Sequence, residues 1–243
     1  MTIAGLRFDE GAEGRQPSGL PPLKFDALIF DFDGVLLESE YAGNAQIAEY
    51  LTRIGHPTSA EESMARFMGL AGKDFIAALE TYIGRPLPED FHAARAEEDA
   101  RVLAEGLDPV AGAIAFVRSL PDALPRAIAS SSTTRWITTH LAHLGLADAF
   151  GTMIFSGREH VARGKPQPDV YLHAAAALGV PIERCAILED SPVGATGAVA
   201  SGAYVIGLAA GRHCPPEHEA TLRAIGVDAV AHSFAEVAAL LAA

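Results

Sequence analysis

The stretch Leu28-Ile29-Phe30-Asp31-Phe32-Asp33-Gly34-Val35 constrains this chain more than any other. An apolar run ends in two aspartates one residue apart, then a glycine. A run of this kind, with Ile and Phe, reads as a strand buried on both faces, as in a parallel sheet. Open α/β sheets bind ligands at the carboxyl ends of their strands, where Asp31 and Asp33 would stand. Two carboxylates held there need partners, a metal or a solvated mouth, because isolated buried charge is costly. The plainer alternative is an Asx-type turn in which Gly34 supplies unusual backbone angles.

The order of patterns along the chain favours the first reading. Lys24–Phe30 is the first predicted strand. From Glu38 to Gly106 the apolar spacing is helical throughout: Ala42, Ala45, Ile47, Ala48, Leu51 and Ile54 mark one helix, and three more follow. Past Asp108-Pro109, strand and helix patterns alternate to the end. Three further predicted strands matter most: Arg126–Ala129 stopping at Ser130-Ser131-Ser132, Thr152–Phe155, and Cys185–Leu188 stopping at Glu189-Asp190. Such alternation implies an α/β fold, a doubly wound parallel sheet covered by helices on both faces. We therefore expect a Rossmann-like core at residues 23–37 and 109–243, an inserted α-helical domain at 38–108, and a poorly ordered leader at 1–22.

The 243 residues carry 49% hydrophobic side chains and a net charge of -13, enough apolar material for a core but no basic footprint. That argues against nucleic-acid binding and against an anionic membrane surface. No stretch is long and apolar enough to span a bilayer. Cys185 and Cys214 form no CxxC pair, as expected of reduced thiols in a cytoplasmic protein.

Three predicted strands end in polar groups: Asp31/Asp33, Ser130 and Glu189/Asp190. Lys165 lies in Gly164-Lys165-Pro166-Gln167-Pro168-Asp169, where prolines stiffen the backbone. On one sheet edge these groups suit phosphoryl transfer, which needs positioning and charge stabilisation. Carboxylate oxygens are ligands for Mg²⁺, which leaves room for water and a phosphate. Lys165 and the cation would neutralise a phosphoryl group, and Ser130 would donate a hydrogen bond to it. Asp31 is placed to attack phosphorus, and Asp33 to act as acid and then base.

The four motifs, DFDGV at Asp31, the Ser130 triplet, GKPQPD at Lys165 and LEDS at Glu189-Asp190, resemble those of the haloacid dehalogenase superfamily in order and setting. A helical insertion just after the first motif resembles the branch holding beta-phosphoglucomutase and sugar-phosphate phosphatases. The resemblance implies a mobile cap that closes over substrate. It makes Asp31 the nucleophile and Asp33 the acid/base, with Mg²⁺ on Asp31, the Asp33 backbone carbonyl, Asp190 and Glu189, the last directly or through water. It also implies a monomer, a dimer being the second arrangement. The superfamily's dehalogenases lack the second aspartate, so Asp33 disfavours carbon–halogen cleavage. Phosphonatases replace that acid too and use a cap lysine as a Schiff base; Lys73 by itself does not establish that activity. The mutases carry a cap arginine and an early histidine, where this chain aligns Gly72 and Gly43.

The expected activity is thus a Mg²⁺-dependent phosphatase for a small phosphorylated metabolite, a sugar or sugar-acid phosphate, working through an aspartyl-phosphate. A phosphosugar mutase is the alternative, and a non-catalytic binding protein of the same fold ranks last. Phe67-Met68-Gly69 looks like the cap of sugar-phosphate or phosphogluconate phosphatases. Ser131, Gly69 and Lys73 are the candidate substrate-binding residues, although Ser131 or Ser132 would also serve as a helix cap. Glu38 marks a cap hinge. Trp136 reads as helix packing. His140 and His143 share a helix face without any HExxH or cysteine cluster, so they are taken as structural and not as zinc ligands.

Overall fold

A computed structural model describes residues 23–68, 70 and 72–242. The expected leader and Gly69 lie outside these residues. Six parallel strands form one sheet in the order β3-β2-β1-β4-β5-β6. They are β1 Ala27–Phe30, β2 Arg126–Ser130, β3 Ile154–Ser156, β4 Cys185–Glu189, β5 Tyr204–Leu208 and β6 Ala229–Ala231. β1 has no exposed residue, which explains its unbroken apolar run: both of its faces are covered.

Alternate residues of the strands feed two different cores. Leu28, Phe30, Ile128, Ala186 and Leu188 pack on one face, against α5 Ala113–Ser119, α6 Thr134–Leu144 and α11 Phe234–Leu241. Ala27, Ile29, Ala127, Ala129 and Ile187 pack on the other, against α8 Asp169–Leu178, α9 Pro192–Ser201 and α10 His218–Ile225. Burying one side chain of the size of Phe30 or Leu28 is worth about 1.5–3 kcal/mol, so this period-2 division sets the register of the sheet.

The chain leaves the sheet edge at Glu38 and returns at Asp108, and the two segments bond to each other: Glu38 N–H donates to Asp108 O at 2.9 Å and Val110 N–H to Leu36 O at 3.1 Å. Between them lie α1 Ser39–Arg53, α2 Ala60–Phe67, α3 Gly72–Ile83 and α4 Phe91–Glu105. These helices bury Ile47, Tyr50, Leu51, Phe67, Leu79, Ile83 and Phe91 in a cluster of their own, separate from both sheet cores. Sequence patterns do not foresee the four-residue helix α7, Ala147–Phe150, or a 3₁₀ turn at Ile182–Arg184. Elements this short have too few residues for a period. No helix among the described residues is long and apolar enough to cross a membrane.

Candidate active site

The sheet order reverses beside β1, and the polar strand ends meet there. Asp31 follows β1, its N–H donating to Leu188 O at 2.9 Å. Glu189 ends β4 and Asp190 follows it. Gly34 turns the chain with φ +79°, and any Cβ at that position would stand 2.1 Å from Asp190 Oδ2. The glycine therefore meets two demands at once: a left-handed backbone and a close approach between the first and fourth strand ends.

Lys165 reaches into this cluster from the loop before α8. Its Nζ lies 2.6 Å from Asp31 Oδ1 and 2.7 Å from Glu189 Oε2, with the lysine side chain 3% exposed. The Tyr171 ring lies beneath it, 4.9 Å from Nζ to centroid. Burial alone would lower the lysine's pKa, but the Asp31 and Glu189 charges outweigh it and hold the ammonium protonated. Burial pushes the Asp31 carboxyl well above the usual range, with Glu189 adding and Lys165 opposing. Burial raises Asp190 as well, again with Glu189 adding.

Glu189 is saturated. Oε2 accepts from Lys165 and from the Tyr171 hydroxyl at 2.5 Å, while Oε1 accepts from the Ser191 N–H at 3.0 Å and its hydroxyl at 2.7 Å. Four donors fill the acceptor positions of a carboxylate. Gly194 makes room for it, since a Cβ there would meet the Glu189 carboxyl carbon at 2.1 Å.

Asp190 is held differently. Its Oδ2 lies 2.8 Å from His213 Nε2 and its carbonyl oxygen 2.7 Å from His218 Nε2, while Oδ1 is buried with no partner among the described residues. Donor atoms of Asp31, Glu189 and Asp190 lie within 4.8 Å of one another, close enough to share a cation. Oxygen-only donors with one orphaned carboxylate oxygen suit a hard divalent cation. The histidine support was not legible in the sequence, because 213 and 218 carry no motif and are brought in by the loop after β5 and the start of α10.

Asp33 faces the β2 side. Ser130, which ends β2, lies 3.5 Å from Asp33 Oδ2 through its hydroxyl, and Ser132 Oγ lies 2.5 Å from the same oxygen. The Trp136 indole N–H donates to Oδ1 at 3.0 Å. The expectation that Trp136 serves only helix packing is therefore corrected. So is the expected cap: Thr133, not Ser131 or Ser132, caps α6 through the Trp136 N–H. Ser132 is free of that task and holds Asp33 instead.

These groups line a cavity of about 500 Å³. Ser131 lines it, as do Arg158, Met68 and Val193. Lys73 does not: it lines a separate groove within the helical insertion, with Phe75, His92 and Arg95. Glu38, expected as a hinge, accepts the Arg212 N–H at 3.0 and 3.2 Å. His140 is fully buried and His143 bonds the Leu103 carbonyl at 3.1 Å, consistent with structural roles.

A family model for haloacid dehalogenase-like hydrolases matches residues 25–202. Hexitol phosphatase A of Escherichia coli K12 is 30% identical over 218 residues, spanning 88% of this chain and 94% of that protein. The 6-phosphogluconate phosphatase of the same organism is 28% identical, spanning 79% and 86%. A HAD family hydrolase from Deinococcus radiodurans R1, solved with bound phosphate and sodium, superposes with a TM-score of 0.80 at 32% identity, over 90% of this chain and 99% of that one.

Proposed function

The chain belongs to the haloacid dehalogenase-like hydrolase family, and on that premise we propose that it is a Mg²⁺-dependent phosphatase of small phosphorylated sugars or sugar acids. The observation that carries this is the bridge from Lys165 to Asp31 and Glu189, set beside the orphaned Asp190 oxygen and the separately held Asp33. One carboxylate is tied to a buried cation, and a second is tied to neutral donors. That is the asymmetry a nucleophile and an acid/base pair require.

Asp31 is the nucleophile. An Asp31 oxygen bonds to phosphorus as the ester P–O bond breaks, and the leaving oxygen takes its proton from Asp33. A water then attacks the aspartyl-phosphate, gives its proton to Asp33, and phosphate departs from Asp31. Lys165 and the Ser130 hydroxyl stabilise the phosphoryl oxygens, with Ser131 on the same wall. Asp31, Asp190 and the Asp33 carbonyl would hold Mg²⁺ directly, while Glu189, its oxygens filled by Lys165, Tyr171 and Ser191, would add negative charge beside the cation and hold Lys165 in place. When bound, Mg²⁺ supplies positive charge to the phosphoryl oxygens and favours the ionised form of Asp31. Ser39, Glu40 and Met68 of the helical insertion line the same cavity. Gly43 lies on α1 and Gly72 opens α3, so neither position offers a side chain to a second phosphate group. Water, not a sugar hydroxyl, is then the acceptor.

The substrate reading rests on the two relatives, one named for hexitol phosphates and one for 6-phosphogluconate. A phosphate-release screen over hexitol, hexose and sugar-acid phosphates with Mg²⁺ tests it. Release from at least one of them, abolished by Asp31→Asn, is the expected result. Isomer interconversion without release would make the protein a mutase. Undiminished hydrolysis by Asp31→Asn would sink the covalent step.

A further inference from the structure

We propose that Trp136 is a positioning residue for Asp33, its donor-only indole N–H confining the catalytic proton to Oδ2. This rests on the acid/base reading of Asp33 given above.

The two oxygens of Asp33 are held by chemically different partners. Oδ1 receives the Trp136 indole N–H at 3.0 Å. Oδ2 faces two hydroxyls, Ser132 at 2.5 Å and Ser130 at 3.5 Å. An indole nitrogen donates and never accepts, whereas a hydroxyl does either. While the indole bond stands, Oδ1 is always an acceptor: one oxygen of the carboxylate, or the carbonyl oxygen of the acid. A proton on Oδ2 is compatible with the same arrangement, because Ser132 turns its hydroxyl to accept.

The consequence for the reaction is directional. In the first step the proton on Oδ2 passes to the leaving oxygen, which keeps the electron pair of the broken P–O bond. In the second, the attacking water returns a proton to Oδ2 as the Asp31–phosphate bond breaks. Asp33 need not rotate between the steps. A carboxyl group free to turn about its terminal torsion would present the wrong oxygen part of the time.

Trp136 is itself firmly placed. It stands in the first turn of α6, where its backbone N–H is tied to the Thr133 hydroxyl. Its ring packs edge-on against His140, centroids 4.2 Å apart, and His140 is fully buried. Backbone capping fixes one end of the residue and core packing the other, so the N–H is aimed before substrate arrives. Preorganised donors of this sort need no rearrangement during the reaction.

Trp136→Phe keeps an aromatic ring against His140 and removes the donor. An alkyl phosphate, whose leaving oxygen needs a proton, is compared with p-nitrophenyl phosphate, whose leaving group does not. For the alkyl substrate kcat should fall about tenfold, a fraction of what a general acid contributes, with KM little changed. The p-nitrophenolate burst, which reports aspartyl-phosphate formation alone, should keep its rate. Equal losses on both substrates, or no loss on either, would overturn the positioning role. Asp33→Asn must show the same split more strongly. If it shows none, the acid/base reading fails; if it does and Trp136→Phe does not, only the positioning role fails. Trp136 is the single tryptophan of the chain, so its intrinsic emission reports the contact directly: Asp33→Ala, which removes the acceptor, should change the emission of the folded protein, and an unchanged spectrum would refute the contact.

Discussion

Nζ of Lys165 stands 2.6 Å from Oδ1 of Asp31, across 134 residues of chain. Both side chains are almost wholly buried, so each charge depends on its ionic partners far more than on solvent. Removing the lysine leaves the Asp31 and Glu189 carboxylates without the cation they share.

Lys165→Met should therefore do two things. Hydrolysis should fall at least about 10²-fold, the scale of losing one charge-stabilising donor. Stability should drop by about 3–5 kcal/mol near pH 8, as expected when one partner of a buried pair is deleted. The loss should shrink on acidification. The Asp31 carboxyl is already raised by burial and by Glu189, and without the lysine it rises further. A carboxyl whose pKa is higher folded than unfolded favours the fold at low pH, and that advantage fades as pH climbs through the folded value. Thermal denaturation of the variant at pH 5.5 and pH 8 checks this; an equal loss at both would contradict it.

Mg²⁺ should stabilise the protein apart from any effect on rate. Asp31 and Asp190 sit together with raised carboxyls, and Asp190 Oδ1 has no partner among the described residues. Cation binding to the fold alone adds about 2.7 kcal/mol at a hundredfold excess over Kd. The melting temperature should rise with added Mg²⁺ and fall in chelator, and Asp190→Asn should flatten the response. A wild-type melting curve indifferent to both treatments would speak against the site.

His213 should tune that affinity. Its Nε2 orients Asp190 from 2.8 Å, and partners of metal-binding carboxylates typically contribute about 10–100-fold to affinity. Titration calorimetry of His213→Ala should show Mg²⁺ binding weakened by about tenfold. Unchanged binding would mean that Asp190 needs no such support.

His140 should make the fold acid-sensitive. Burial lowers its pKa, with Asp33 opposing and His143 reinforcing the shift, and neither ring nitrogen has a partner among the described residues. A histidine with a lower pKa folded than unfolded takes up its proton preferentially in the unfolded state. Its neutral form is accommodated above the unfolded value, and stability is lost as pH falls below it. Chemical denaturation between pH 7.5 and 5.5 should show that decline. His140→Leu should lessen it and, by removing unpaired polar atoms, raise stability at neutral pH by about 1 kcal/mol. His213 and His218 are lowered by burial too, so part of the slope should persist.

The alternation of strand and helix was readable because buried parallel strands and amphipathic helices each impose a period on the chain. The Asp31, Ser130 and Glu189-Asp190 positions were readable because strand ends in such a sheet converge on one edge, and Lys165 because prolines flank it in a loop. Lys73 shows the limit: a lysine in the helical insertion looked like a substrate contact, yet it lines a different groove. Trp136 shows it in the opposite sense, since its apolar bulk concealed the one N–H that reaches Asp33.

The sequence by itself determined which groups reach the sheet edge, through local periodicity and the points at which strands stop. Only the tertiary structure decided what each group does there. It made Glu189 the saturated anchor of Lys165, left one Asp190 carboxylate oxygen without a partner among the described residues, and set Asp33 between an indole and a serine. Those assignments depend on angles and distances between side chains 18 to 103 residues apart, or on loops that follow no period. They are fixed by how the helices pack on the sheet, which no local pattern of residues encodes.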